Sequence, residues 1–201
     1  MAKVIQFPVP SPEKFGFKPV RQKKEQPFRG KHGQLNLFTG AKIVRLNQLT
    51  PFEEALMLDD QGEAAKAKEA YQKAIDKKES VADAYCNLGI LESEAKNYSK
   101  AIDCFTLCLK EEPRHFEAHY NLANLYAEIG NLPLAKIHYQ ISIEIEPEFS
   151  NSYFNLALTL AMNKEVAEAI ESLMKYCQLS PRADRAHAEE LIAALSRSLG
   201  K

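Results

Sequence analysis

Few residues of this chain have the types and spacing that chemistry needs. His115 and His119 lie four apart, the separation at which a helix presents two imidazoles on one face, where they could hold a metal ion. Cys104 and Cys108 share that spacing. Cys86 stands apart, with no adjacent His or Lys to favour its thiolate. Asn87, Asn121 and Asn155 recur every 34 residues. Each amide offers two donors and an acceptor, so a row of them could bind the backbone of an extended peptide without reading its side chains. The sequence holds no glycine-rich phosphate loop, no nucleophile elbow and no HExxH string. This inventory points to binding, so no enzyme and no cofactor is expected.

The elements that must position these residues follow from the same period. Ala67, Ala101, Ala135 and Ala169 are spaced 34 apart. Four residues after each comes a large apolar residue, Tyr71, Phe105, Tyr139 or Leu173. A proline follows twelve residues after each of the last three alanines, at Pro113, Pro147 and Pro181, with Glu79 in the first slot. A fixed period with two helices of pattern per unit is the signature of a solenoid. Each unit reads as a helix, a polar turn (Gln61-Gly62, Lys96-Asn97, Gly130-Asn131, Asn163-Lys164) and a second helix that proline ends, because proline lacks an N–H and clashes with the preceding turn. The small alanine lets the helices approach, and the large residue fills the space beside it. Thr50, Pro51 and Glu53 predict a capping box at the first helix start. From Ser180 to Leu199 a last amphipathic helix is expected, with Ser180 as its cap and Pro181 opening it. Ala188, Leu191, Ile192, Leu195 and Leu199 form its apolar stripe. Such an end helix, with one wet face, is what an open solenoid needs in order to stop.

Composition adds a division by charge. The chain has 201 residues and a net charge of −1. Residues 1–47 carry ten Lys and Arg and two acids, a charge of +8, and leave −9 on the remainder. Five of the ten prolines also fall in the first 27 residues. An extended or disordered basic arm, 1–47, therefore precedes an acidic repeat body over 48–183, with units at 48–81, 82–115, 116–149 and 150–183, and an end helix over 184–201. No apolar run reaches the ~18 residues of a membrane span, and the first residues lack the ~7-residue apolar core of a secretory signal. Four cysteines without a framework spacing suggest a reducing compartment, with the cytoplasm as the default.

The strings Ala84-Tyr85-Cys86-Asn87-Leu88-Gly89, His119-Tyr120-Asn121-Leu122-Ala123 and Tyr153-Phe154-Asn155-Leu156-Ala157, each in register with the alanine, the large residue and the proline, resemble the tetratricopeptide repeat. The resemblance covers about 48–183; the first unit departs from the pattern, with Glu53-Glu54-Ala55 in place of Asn-Leu-Gly/Ala. It implies an all-α, right-handed α-solenoid of about four helix-turn-helix repeats, with a C-terminal capping helix and an extended N-terminal arm. It also implies a concave groove lined by the first helix of each unit. Carried over by register, the groove positions are Asp83, Cys86, Asn87, Ile90 and Glu94 in the second unit. They are Glu117, Tyr120, Asn121, Asn124 and Glu128 in the third, and Asn151, Phe154, Asn155, Leu158 and Met162 in the fourth. In the first unit they are Phe52, Glu53, Leu56 and Asp60. None is Lys or Arg, so the basic clamp with which some relatives hold a terminal carboxylate is missing. The groove is expected to be acidic along Glu94, Glu117 and Glu128 and apolar toward the fourth unit. Its preferred ligand is an extended protein segment, partly apolar and neutral or basic. The resemblance also puts His119 where an aromatic usually packs and Cys108 where a small residue does, so packing is preferred to metal for both and no metal is expected.

The arm offers two further readings. Phe7, Phe15, Phe17, Phe28 and Phe38 among Lys and Arg suit the expected groove, so the arm is a candidate for docking there or for self-association; a solvated linker is the plainer alternative. Gln34-Leu35-Asn36-Leu37-Phe38 resembles the pentapeptide by which bacterial replication and repair proteins hold a sliding clamp, with Gln34 as the amide and Leu35, Leu37 and Phe38 as apolar anchors. Lys18, Arg21, Lys23, Lys24, Arg29 and Lys31 could contact nucleic-acid phosphates loosely, although no motif for reading sequence accompanies them. The leading expectation is thus an interaction scaffold or adaptor. The alternative is an accessory factor recruited to DNA or a clamp through the arm.

Overall fold

The structure is a computed structural model and describes residues 49–199. The arm, with Gln34, Leu35, Leu37 and Phe38, lies outside the described residues, as does the side chain of Leu199. Among the described residues there are helices and no strands. The helices are α1 (Pro51–Asp60), α2 (Ala64–Asp76), α3 (Val81–Glu94), α4 (Tyr98–Glu111), α5 (Phe116–Glu128), α6 (Leu132–Ile145), α7 (Ser150–Met162), α8 (Val166–Leu179) and α9 (Ala186–Leu199). They form an all-α solenoid of paired helices, α1 with α2, α3 with α4, α5 with α6 and α7 with α8, closed by α9 against α8. None is long and apolar enough to cross a membrane.

Local chemistry explains the helix ends. The Thr50 hydroxyl accepts the Glu53 N–H at 3.2 Å, and the Glu53 carboxylate accepts the Thr50 N–H at 2.9 Å, completing the capping box. Within each pair the turn passes through one left-handed residue: Gly62 (φ 74), Lys96 (φ 61), Gly130 (φ 80) and Lys164 (φ 65). Glycine takes that conformation without strain, whereas the two lysines bear the steric cost of Cβ. Before each slot proline, residues Glu112, Glu146 and Ser180 leave helical geometry, as a following proline ring demands. The first unit lacks that proline and ends α2 through two positive-φ residues instead, Lys78 and Ser80.

The periodic residues make the core. Ala67, Ala101, Ala135 and Ala169 have no exposure, and neither have Tyr71, Phe105 and Tyr139; Leu173 has 1%. A Cβ on Gly89 would sit 2.7 Å from Phe105 Cε1, so α3 and α4 meet there closer than any side chain permits. Lysines on second helices join adjacent repeats: Lys68 to Glu92 at 2.8 Å, and Lys136 to Glu165 and to Glu168.

The chain end differs from the sequence expectation. Ser180 and Pro181 are extended, a 3-10 turn follows at Arg182–Asp184, and α9 begins only at Ala186. The Arg185 guanidinium donates to the Ser180 carbonyl at 2.7 and 2.9 Å, which fixes this bend and lets α9 turn back onto α8. Of the expected stripe, Ala188 and Leu195 are buried, and Leu191 and Ile192 lie against the same cluster.

Candidate functional site

The first helices α3, α5 and α7 follow one another, and the amide ladder sits on them. Asn87, Asn121 and Asn155 have no exposure. Asn121 Nδ2 donates to Cys86 Sγ at 3.7 Å, and Asn155 Nδ2 donates to the Tyr120 hydroxyl at 3.1 Å and to Asn124 Oδ1 at 3.0 Å. The Tyr139 hydroxyl donates to that same Asn124 oxygen at 2.6 Å, so the network ties α5, α6 and α7 together. Asn87 hydrogen-bonds Tyr71 on the preceding repeat. The amides thus bind neighbouring repeats, and a peptide that used them would first have to displace these bonds.

Other positions read from the register divide by burial. Tyr120 is 2% exposed and packs edge-on to Phe149 and Tyr139. Ile90 is buried, and Phe154 lies against Tyr176 and His187 near the end helix. Glu94, Glu128, Asn151 and Met162 are exposed, while Asp83, Glu117 and Leu158 are half-buried. Phe52 is buried in the first unit, where Glu53 and Asp60 are exposed and Leu56 half-buried. Burial and then the charge of Asp59 raise the Glu94 carboxyl above the usual range. Asp59 is itself raised by burial and by Asp60, against a hydrogen bond from the Tyr71 hydroxyl. The acidic edge is not uniform, however: Lys96 Nζ meets Glu128 at 2.6 Å, and the Tyr98 hydroxyl donates to the same oxygen at 2.8 Å. Sequence register gave no sign of this, because Lys96 lies in the turn one repeat earlier.

The histidines and cysteines are arranged otherwise than their sequence spacing implied. His115 caps α5, its Nδ1 accepting the Ala118 N–H at 3.2 Å, and its Nε2 lies 3.1 Å from Asp83 Oδ1. His119 turns away, with Nε2 donating to the Pro113 carbonyl at 3.1 Å and Nδ1 lying 3.0 Å from His138 Nδ1. Cys86 does not line a groove. It is fully buried and, together with Cys108 and His115, places three ligand atoms within 4.8 Å of one another. Burial pushes the Cys86 thiol well up, whereas hydrogen bonds with Cys86 and His115 lower Cys108 to about 7. Spacing could not reveal this cluster, whose members come from α3, α4 and the cap of α5.

Tetratricopeptide-repeat family models match residues 82–115, and 104–136 with 138–171. The chain is a tetratricopeptide-repeat protein. Solved structures agree in fold. MamA is 19% identical, with a TM-score of 0.65 over 73% of this chain and 84% of its own. YrrB, a TPR protein with an unusual peptide-binding site, is 20% identical, with a TM-score of 0.65 over 75% and 76%. The first TPR of Spaghetti (RPAP3), bound to the HSP90 peptide SRMEEVD, is 17% identical, with a TM-score of 0.56 over 60% and 94%. No curated protein sequence matches this repeat protein.

Proposed function

We propose that this TPR protein is an interaction scaffold that holds an extended, partly apolar, neutral or basic protein segment along the face of α1, α3, α5 and α7. The observation that carries this reading is the charge of that face: α1, α3, α5 and α7 carry no Lys or Arg, and Glu94 stands exposed on it, with its carboxyl raised by burial and then by the charge of Asp59. A Lys or Arg from a ligand stabilises the Glu94 carboxylate, and charge-assisted hydrogen bonds are the strong ones. At the other end of that face Leu158 and Met162 offer apolar contact, with Met162 47% exposed and able to adapt its shape. The Spaghetti repeat holds the acidic peptide SRMEEVD. Here no Lys or Arg stands at the first-helix positions, so an acidic segment meets repulsion. The amide ladder keeps the first helices in register, and Asp83, Glu117 and Asn151 flank the path of the segment.

Calorimetric titration with short synthetic peptides tests this. A peptide mixing Phe with Lys and Arg is expected to bind more tightly than its acidic counterpart, and Glu94→Lys is expected to weaken it about tenfold or more. Equal binding of both peptides, or no effect of Glu94→Lys, would reject the reading. Residues 1–47, supplied as a separate peptide to a chain lacking them, test whether the basic arm is such a segment. Recruitment to DNA or a clamp gains no support from the described residues or from the comparisons.

A further inference from the structure

We propose that Cys86, Cys108 and His115 form a binding site for a thiophilic metal ion, zinc(II) or copper(I). Two sulfurs and an imidazole nitrogen are the donor set such ions select over calcium or magnesium, which prefer oxygen. The three ligand atoms already lie within 4.8 Å of one another, so shifts of about an ångström bring them to the ~2.0–2.3 Å that zinc requires.

The surroundings complete the case. The Asp83 carboxylate lies 3.1 Å from His115 Nε2, and a carboxylate on the far nitrogen is how ligating imidazoles are commonly fixed. Because Nδ1 accepts a backbone N–H, it carries the lone pair, and the ring proton is on Nε2 facing Asp83. The ion would take over that lone pair from Ala118 N–H. Asn121 Nδ2 donates to Cys86 Sγ, the type of hydrogen bond that stabilises a metal-bound thiolate. Glu117, with a carboxylate oxygen 3.7 Å from Nδ1, stands where it could serve as a fourth donor to zinc. On binding, the two thiol protons pass to solvent and the thiolates bond the ion, with no change of oxidation state.

A small residue suits the Cys108 slot, but the repeat fold fills the same three positions elsewhere without cysteine or histidine. One repeat earlier they are Phe52, Ala74 and Val81; one repeat later, Tyr120, Ser142 and Phe149; in the last, Phe154, Tyr176 and Ala183. In the third unit Tyr120 and Phe149 simply stack edge-on with centroids 5.1 Å apart. The second unit alone places a Cys2His set there.

The test uses the full chain, reduced and stripped with a chelator, then titrated with cobalt(II) as an optical stand-in for zinc. Zinc(II) competes in one arm and copper(I), without oxygen, in another, which tells the two ions apart. One equivalent of cobalt is expected, with thiolate-to-cobalt charge transfer. Cys86→Ser and Cys108→Ser are expected to abolish it, and Asp83→Asn to weaken it about 10–100-fold. Cys104→Ser and Cys177→Ser are expected to leave it unchanged. Cys108→Ser combined with His115→Phe matches Ser142 and Phe149 of the next repeat, so it is expected to fold, checked by circular dichroism, and to bind no ion. No uptake by the reduced chain, or uptake that survives Cys108→Ser with His115→Phe, overturns the proposal. So does a native Cys86–Cys108 disulfide that, once reduced, still binds neither ion.

Discussion

Gly89 faces the ring of Phe105 with no room for a methyl group. Alanine would favour the helix by about 1 kcal/mol, but overpacking a fully buried ring costs about 1–3 kcal/mol. Gly89→Ala is therefore expected to lower stability, read as a lower urea midpoint at unchanged slope. The pair His119 and His138 gives a second prediction. His119 Nε2 donates to a carbonyl, so its Nδ1 accepts the proton of His138 Nδ1, and both rings are neutral. Burial, then the neighbouring His119, lowers His138 to about 4. An unfolded histidine takes its proton near 6.5, so the unfolded chain binds more protons between those values. The contribution of this pair to stability is whole above about pH 6.5 and is lost as pH falls toward 4. His138→Gln is expected to flatten that part of the melting-temperature profile, measured from pH 7 to 4.5. Sequence spacing put His115 with His119; the structure parts them, since a helix cap and a helix face point to different neighbours.

At the scale of the element, the left-handed turn residues decide how each helix pair folds back. Lys164 and Gly130 hold equivalent positions one repeat apart, with φ of 65 and 80. Lys164→Gly is expected to raise stability by about 1 kcal/mol, and Gly130→Ala to lower it by about as much, because only glycine enters this region without a Cβ penalty. Differential scanning calorimetry on the two variants reads both signs. The turns were legible in sequence as polar breaks; that lysine shares the conformation of glycine was not, because a residue with a Cβ enters that region only at a steric cost that local propensity argues against. The start of the last helix was misplaced in sequence because Ser-Pro reads as a cap and first helical residue. The Arg185 contact to the Ser180 carbonyl holds a bend there that local propensity does not encode.

Across the whole molecule, each repeat buries its face on the next, and the end helix covers the last. Ala188 and Leu195 of α9 share a cluster with Phe154, Leu160 and Leu173. Truncation after Ser180 is expected to expose that cluster, lower the melting temperature by several degrees and promote self-association, measured by thermal melts and light scattering. The 34-residue period by itself determined the fold class, the helix pairing and the core of alanines and large apolar residues. It did so because a repeat that packs on copies of itself must carry its contacts in fixed register. What only the tertiary structure decided is which side chains meet across repeats. Asn121 and Asn155 donate to side chains of the preceding repeat, Lys96 covers Glu128, and Cys86, Cys108 and His115 converge from three elements. Those meetings depend on the distance and rotation between successive helix pairs, and one-dimensional spacing does not carry that information.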